Sequence, residues 1–204
     1  MANLNAPKGF VPSRYMDGSA WNGATNVYFI PQADGNQFNP GDAVKSAAVT
    51  DANYIPGVTK ITNGTDAIRG IIVGVLSAGI GAQPSLVGTN LDLTLQNIPA
   101  SKNQDYYVLV VDDPAVVYEI QDDGTAALTT AQMSKNASFT VANPTSPQQN
   151  SATVLNVSSI NTTQALNLRL LGAVQRADND PTLVNAKWLV KINQHELQGN
   201  TAGI

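Results

Sequence analysis

The sequence predicts an all-β fold, a sandwich or a barrel. Three observations carry this. Short runs rich in β-branched and aromatic residues recur along the 204 residues, separated by Gly, Pro, Asn and Asp turns. No alternation of strand-like and helix-like segments marks a βαβ unit, and no fixed-period repeat is present. The chain is 43% hydrophobic, enough for a sizeable core, yet only 13% charged against a usual value of about 25%.

Residues 1–14 read as an extended N-terminal arm, because Pro7, Gly9 and Pro12 oppose regular structure. Phe10 and Val11 are apolar groups within it. A single β-rich domain is expected over 15–197, with a weak subdivision near 77–104, and a small polar tail over 198–204. Its first strand is Asn26–Ile30, ended by Pro31. Turns at Asp34-Gly35 and Asn39–Asp42 lead to strands at Ala43–Ala48 and Val58–Thr62, and Asn63-Gly64 marks a tight turn. Ile68–Leu76 is apolar almost without interruption, which predicts burial on both faces; Gly70 and Gly74 within it predict bulges or close backbone approach. Residues 77–90 read as a loop. Asp105–Asp112 is the strongest strand signal, broken by Asp113-Pro114, and Val116–Gln121 follows. The composition of 126–137 (AALTTAQMSKNA) predicts a short helix. Thr153–Val157 reads as a weak strand or a loop, and Ala165–Val174 and Ala186–Asn193 complete the strands.

Charge and composition exclude several functions. The net charge is −4, and the isoelectric point is near 4.7. A nucleic-acid binder carries a basic patch, so direct nucleic-acid binding is not expected. There are no cysteines, hence no disulfide framework or thiolate metal site. The surface is supplied by 21 Asn, 13 Gln, 17 Thr and 12 Ser rather than by charge, which suits a dense assembly or an extracellular setting. The start lacks a charged segment followed by an apolar one, so no secretory signal is read there. The longest apolar stretch, Ile71–Ile80, is interrupted by glycine and serine and falls short of the ~20 residues that cross a bilayer. A soluble protein made in its producer's cytoplasm, without a membrane partner, is expected.

The search for reactive groups yields little. Asp112/Asp113 and Asp122/Asp123 are paired acids, but Asp before Pro or Gly is a turn signal through its own side-chain hydrogen bonds. His195 is the only histidine; with no Gly-x-Ser-x-Gly elbow to supply a nucleophile, it reads as a strand-end residue bonded to a neighbour. The glycines form no phosphate-binding loop. The four Asn-x-Ser/Thr sequons, at Asn63, Asn136, Asn156 and Asn161, are about what this composition gives by chance. No catalytic residue, cofactor site or metal site is expected.

Several segments nevertheless carry a resemblance. They are MANLNAPKGFVPSRYMDGSAWNGATNVYFIPQADGN, IRGIIVGV, YYVLVVDDPAVVYEIQDDG, LRLLGAVQRADND, AKWLVKINQHEL and GNTAGI. Together they resemble the decoration, or cement, proteins on the outside of tailed-bacteriophage heads. The resemblance implies a jelly-roll-like homodimer or homotrimer on the outer surface of the virion head, clamping neighbouring major capsid protein subunits. Phe10, Val11, Arg14 and Tyr15 are then the candidate capsid or subunit contacts. Arg176, beside Asp178 and Asp180, is expected to make an exposed ion pair worth ~0–1 kcal/mol. The competing expectation is a surface or fibre module that binds host carbohydrate through an exposed Trp21 or Trp188.

Overall fold

The computed structural model describes residues 2–76, 96–145 and 149–198. The chain is all-β. The strands are β1 (Val11–Tyr15), β2 (Asn26–Ile30), β3 (Ala43–Thr50), β4 (Pro56–Lys60), β5 (Gly70–Leu76), β6 (Tyr106–Val111), β7 (Val116–Gln121), β8 (Asn136–Thr140), β9 (Val154–Asn161), β10 (Leu168–Ala173) and β11 (Lys187–Ile192). Among the described residues, helix is confined to two three-residue 3-10 turns, Thr130–Gln132 and Glu196–Gln198.

The strands sort into two bodies. A six-stranded antiparallel sheet has the order β1-β7-β11-β10-β8-β9, and a closed five-stranded barrel has the order β2-β4-β3-β5-β6. This order differs from the eight-stranded, double Greek-key jelly roll. The chain enters the sheet with β1, leaves it for the whole barrel, then returns with β7. The division therefore falls at residues 16–25 and 112–115. Most of the boundary expected near 77–104 lies outside the described residues; Ile98, within it, bridges to Phe38 and is buried in the barrel.

Two cores result, and one joins the bodies. Tyr28, Ile30, Phe38, Val44, Ile72, Val108 and Val110 fill the barrel. Ile61, Ile68, Ile71 and Val111 leave the barrel wall to pack against Tyr118, Leu168, Trp188 and Val190 of the sheet. Ile71 and Ile72 point into different cores, which accounts for the unbroken apolar run in β5. A Cβ on Gly70 would lie 2.4 Å from the Val111 carbonyl oxygen, and the β5–β6 register shifts between Ile72 and Gly74. Close approach and bulge both occur where the glycines predict them.

Two local expectations are overturned. The residues read as a helix over 126–137 form only the turn Thr130–Gln132 before β8 begins at Asn136. Ser134 stands at φ 63°, which ends any right-handed helix, and Asn136 and Ala137 pair with β10. The N-terminal arm also holds regular structure that its prolines and glycine speak against. Residues 11–15 are β1, paired with β7 from Val11↔Glu119 to Tyr15↔Val116. Pro12 is tolerated because β1 is an edge strand.

Candidate functional site: the N-terminal strap and its groove

The segment before β1 is held by side-chain amides. Asn3 donates to the carbonyls of Asp180 (2.9 Å) and Val184 (3.0 Å) and accepts the Asp180 N–H (2.8 Å). Gln121 accepts the Ala6 N–H (3.2 Å) and donates to Asn5 (2.9 Å). Gly9 then turns the chain at φ 65°, against Gly41 at φ 94°; a Cβ on Gly9 would sit 2.4 Å from the Gly41 carbonyl oxygen. The Phe10 N–H donates to that same oxygen (3.0 Å). These contacts drive Phe10 inward.

Phe10, one of the candidate contacts, is turned into the core. It is 1% exposed and meets Phe139 and Tyr118 edge-on, with centroids 5.2 and 6.2 Å apart. Tyr15 packs against the same core, and its hydroxyl donates to Asn22 (2.9 Å). Arg14 is half-buried and donates to the Tyr15 carbonyl (3.2 Å). Val11 remains 41% exposed. The residue that composition did not single out is Leu4, 78% exposed.

Leu4 and Val11 line one groove of about 290 Å³, whose rim includes Lys8, Arg176, Lys187 and Glu119. Arg176 Nη1 donates to both Glu119 carboxylate oxygens (3.1 and 2.9 Å), and its Nε donates to Asp178 (3.2 Å), which also pairs with Lys187 (2.9 Å). Asp180, the second partner expected of Arg176, instead accepts from Thr182. The groove thus has an apolar lip and a rim with more cations than carboxylates, in which Arg176 and Lys187 are engaged by Glu119 and Asp178.

The reactive-looking groups have structural roles. Asp122 is fully buried and accepts from the N–H groups of Gly124, Asn185 and Ala186 and from the Trp188 indole. Asp113 and Asp123 cap turns at Ala115 and Thr125. Asp112 does more than its turn position suggests. It accepts from both Asn26 (2.9 and 3.1 Å) and the Tyr28 hydroxyl (2.5 Å), and Arg69 donates to that hydroxyl (2.8 Å) from 5.3 Å above the ring. Burial, then the bond to Asp112, push the Tyr28 phenol up to about 12, so it stays a donor at neutral pH.

His195 is buried beside this network. Its Nδ1 accepts the Leu197 N–H (3.0 Å), and its Nε2 meets no partner among the described residues. Burial holds its pKa down, to about 4, so the ring is neutral at pH 7. Among the described residues no group of three or more His, Asp or Glu could hold a metal ion.

The tryptophans are split. Trp188 is 3% exposed, with its N–H spent on Asp122. Trp21 is half-buried and lines a cleft of about 510 Å³ beside Pro12, Ile72 and Leu109. Comparison of the chain with protein-family models, with curated proteins and with solved structures returns no match.

Proposed function

We propose that this chain is a structural virion protein, a decoration or cement protein that binds the outside of a phage head as a homodimer or homotrimer. In this reading it joins neighbouring major capsid protein subunits and performs no catalysis. The sequence resemblance suggests the class. The observation that carries it to a surface is the strap. A segment bonded down on one edge of the sheet holds Leu4 and Val11 outward along one groove. Such a segment is already ordered, so docking it loses little conformational entropy. Modest contacts of this kind become strong when many copies engage one shell.

The test compares heads with and without the bound protein during heating. Decorated heads release DNA at a higher temperature than bare heads, and a Leu4→Asp, Val11→Asp double variant loses the gain while keeping the wild-type Tm. Equal release temperatures for decorated and bare heads count against the reading.

One observation favours a second reading, a carbohydrate-binding surface module: Trp21 lines a cleft beside Asn150. Trp188, the other candidate, is buried and cannot stack on a sugar. A glycan array probed with the wild type and Trp21→Ala separates the readings, since only the second predicts a signal that the substitution abolishes.

A further inference from the structure

An amine, a carboxylate and a carboxamide meet where the barrel touches the connection that leaves the sheet. Lys60 ends β4, Asp42 lies in the turn before β3, and Asn143 follows β8 of the other body. Lys60 Nζ stands 2.7 Å from Asp42 Oδ2 and 2.7 Å from Asn143 Oδ1. Asp42 is fully buried, and the Lys60 side chain is only 5% exposed. Asp42 Oδ2 also accepts the Asn39 N–H (2.9 Å). Its other oxygen, Oδ1, is buried and has no hydrogen-bond partner among the described residues. Asn143 is exposed, so a small product released there reaches solvent.

These are the reactants and the acid–base group of an amide exchange. An amine attacks a carbonyl carbon only after it loses a proton, and Asp42 is the acceptor in contact with it. That transfer turns two buried charges into an amine and a carboxylic acid, and the unpartnered Oδ1 is open to hold the proton in transit. The amine already touches the carboxamide, so the reaction pays no encounter entropy. Asparagine more commonly loses ammonia to the N–H of the following residue. Residue 144 is proline, which has none, so that competing route is closed at Asn143.

We propose that Lys60 and Asn143 join in an intramolecular isopeptide bond, with Asp42 carrying the protons. Lys60 Nζ attacks Asn143 Cγ; the Nζ–Cγ bond forms and the Cγ–Nδ2 bond breaks. Two protons leave the lysine ammonium by way of Asp42 and end on Nδ2, which departs as ammonium. Asp42 is left as it began, and the balance needs no oxidant or co-reactant. The Lys60–Asp42 ion pair is the state before closure. The bond ties the end of a barrel strand to the connection after β8, across 83 positions of the chain, and so restricts the unfolded state. It goes beyond the capsid reading and does not depend on it.

Intact-mass spectrometry of the purified chain tests it. The wild type is expected about 17 Da, one ammonia, below the mass of its sequence with or without Met1. A proteolytic digest is expected to hold a branched peptide that joins Lys60 to Asn143. Asn143→Ala and Asp42→Asn are each expected at the full mass of their sequences, and Asn143→Ala at a lower Tm than the wild type. Asn143 is exposed, so Asn143→Ala is expected to fold, which its circular dichroism checks. Where Asp42→Asn fails to fold, the wild type and Asn143→Ala still decide. A wild type at the full sequence mass overturns the proposal. So does a loss of ammonia that persists in Asn143→Ala, which would place the loss at another asparagine. A folded Asp42→Asn that closes the bond as fast as the wild type overturns the part given to Asp42.

Discussion

Asp42 and Lys60 form an ion pair at 2.7 Å with both side chains almost wholly shielded from water. Lys60 also donates to Asn143 (2.7 Å) and to the Gln37 carbonyl (3.2 Å), so its three protons are used. Removing one partner strands the other charge in a low dielectric. Lys60→Met is expected to cost about 3–5 kcal/mol in denaturant-unfolding free energy, far more than an exposed pair. Arg176→Ala, which breaks half-exposed pairs, is expected to cost about 1 kcal/mol or less in the same assay. His195 gives a pH signature. Its folded pKa, about 4, lies below the ordinary value of 6.5, so the unfolded chain binds the proton first. The stability tied to the neutral ring is complete above pH 6.5 and is lost as the pH falls toward 4, by up to about 3 kcal/mol. Asp112, Asp113, Arg69 and Lys191 are the charges that act on this ring. The fall in Tm between pH 6.5 and 4.5 is therefore expected to be steeper in the wild type than in His195→Gln; equal slopes would exclude His195 as the cause.

At the scale of elements, the strap and β1 depend on a place where two chain segments nearly touch. Gly9 and Gly41 both have positive φ, and either Cβ would overlap the opposite backbone. Gly9→Ala is expected to destabilise by more than 1 kcal/mol and to raise amide exchange in Val11–Tyr15 before it does so in β7. Phe10→Ala removes a fully buried ring and is expected to cost about 3–5 kcal/mol; a loss below 1 kcal/mol would contradict its place in the core. Elements whose signal is local were legible in the sequence. Asn26–Ile30 and Val116–Gln121 have the bounds that β-branched and aromatic runs with flanking turns predict. The start of β8 was hidden, because the helix-favouring Ala, Gln, Met and Lys of 126–135 run straight into Asn136 and Ala137, and only pairing with β9 and β10 decides those two for strand. β1 was hidden by Pro7, Gly9 and Pro12, residues that permit an edge strand without announcing one.

Across the whole molecule, sequence patterning yields the class but not the arrangement. Nothing local tells the chain to leave a sheet after one strand, close a five-stranded barrel and return. That order is set by Ile61, Ile68, Ile71 and Val111, whose partners lie in the sheet and far along the chain. The candidate contact surface was legible only in part. Val11 stands on the groove, whereas Phe10 turned inward and Leu4 gave no signal, since an exposed leucine has no sequence mark of its own. The proposed role stands or falls on attachment to a phage head. The measurement that tests it most directly is co-sedimentation of the purified chain with undecorated heads of the phage that encodes it, titrated to excess. Saturable binding at a fixed ratio to the major capsid protein, weakened by the Leu4→Asp, Val11→Asp variant, is the expected result. Absence of binding, or binding that rises without saturation and ignores that variant, would contradict it.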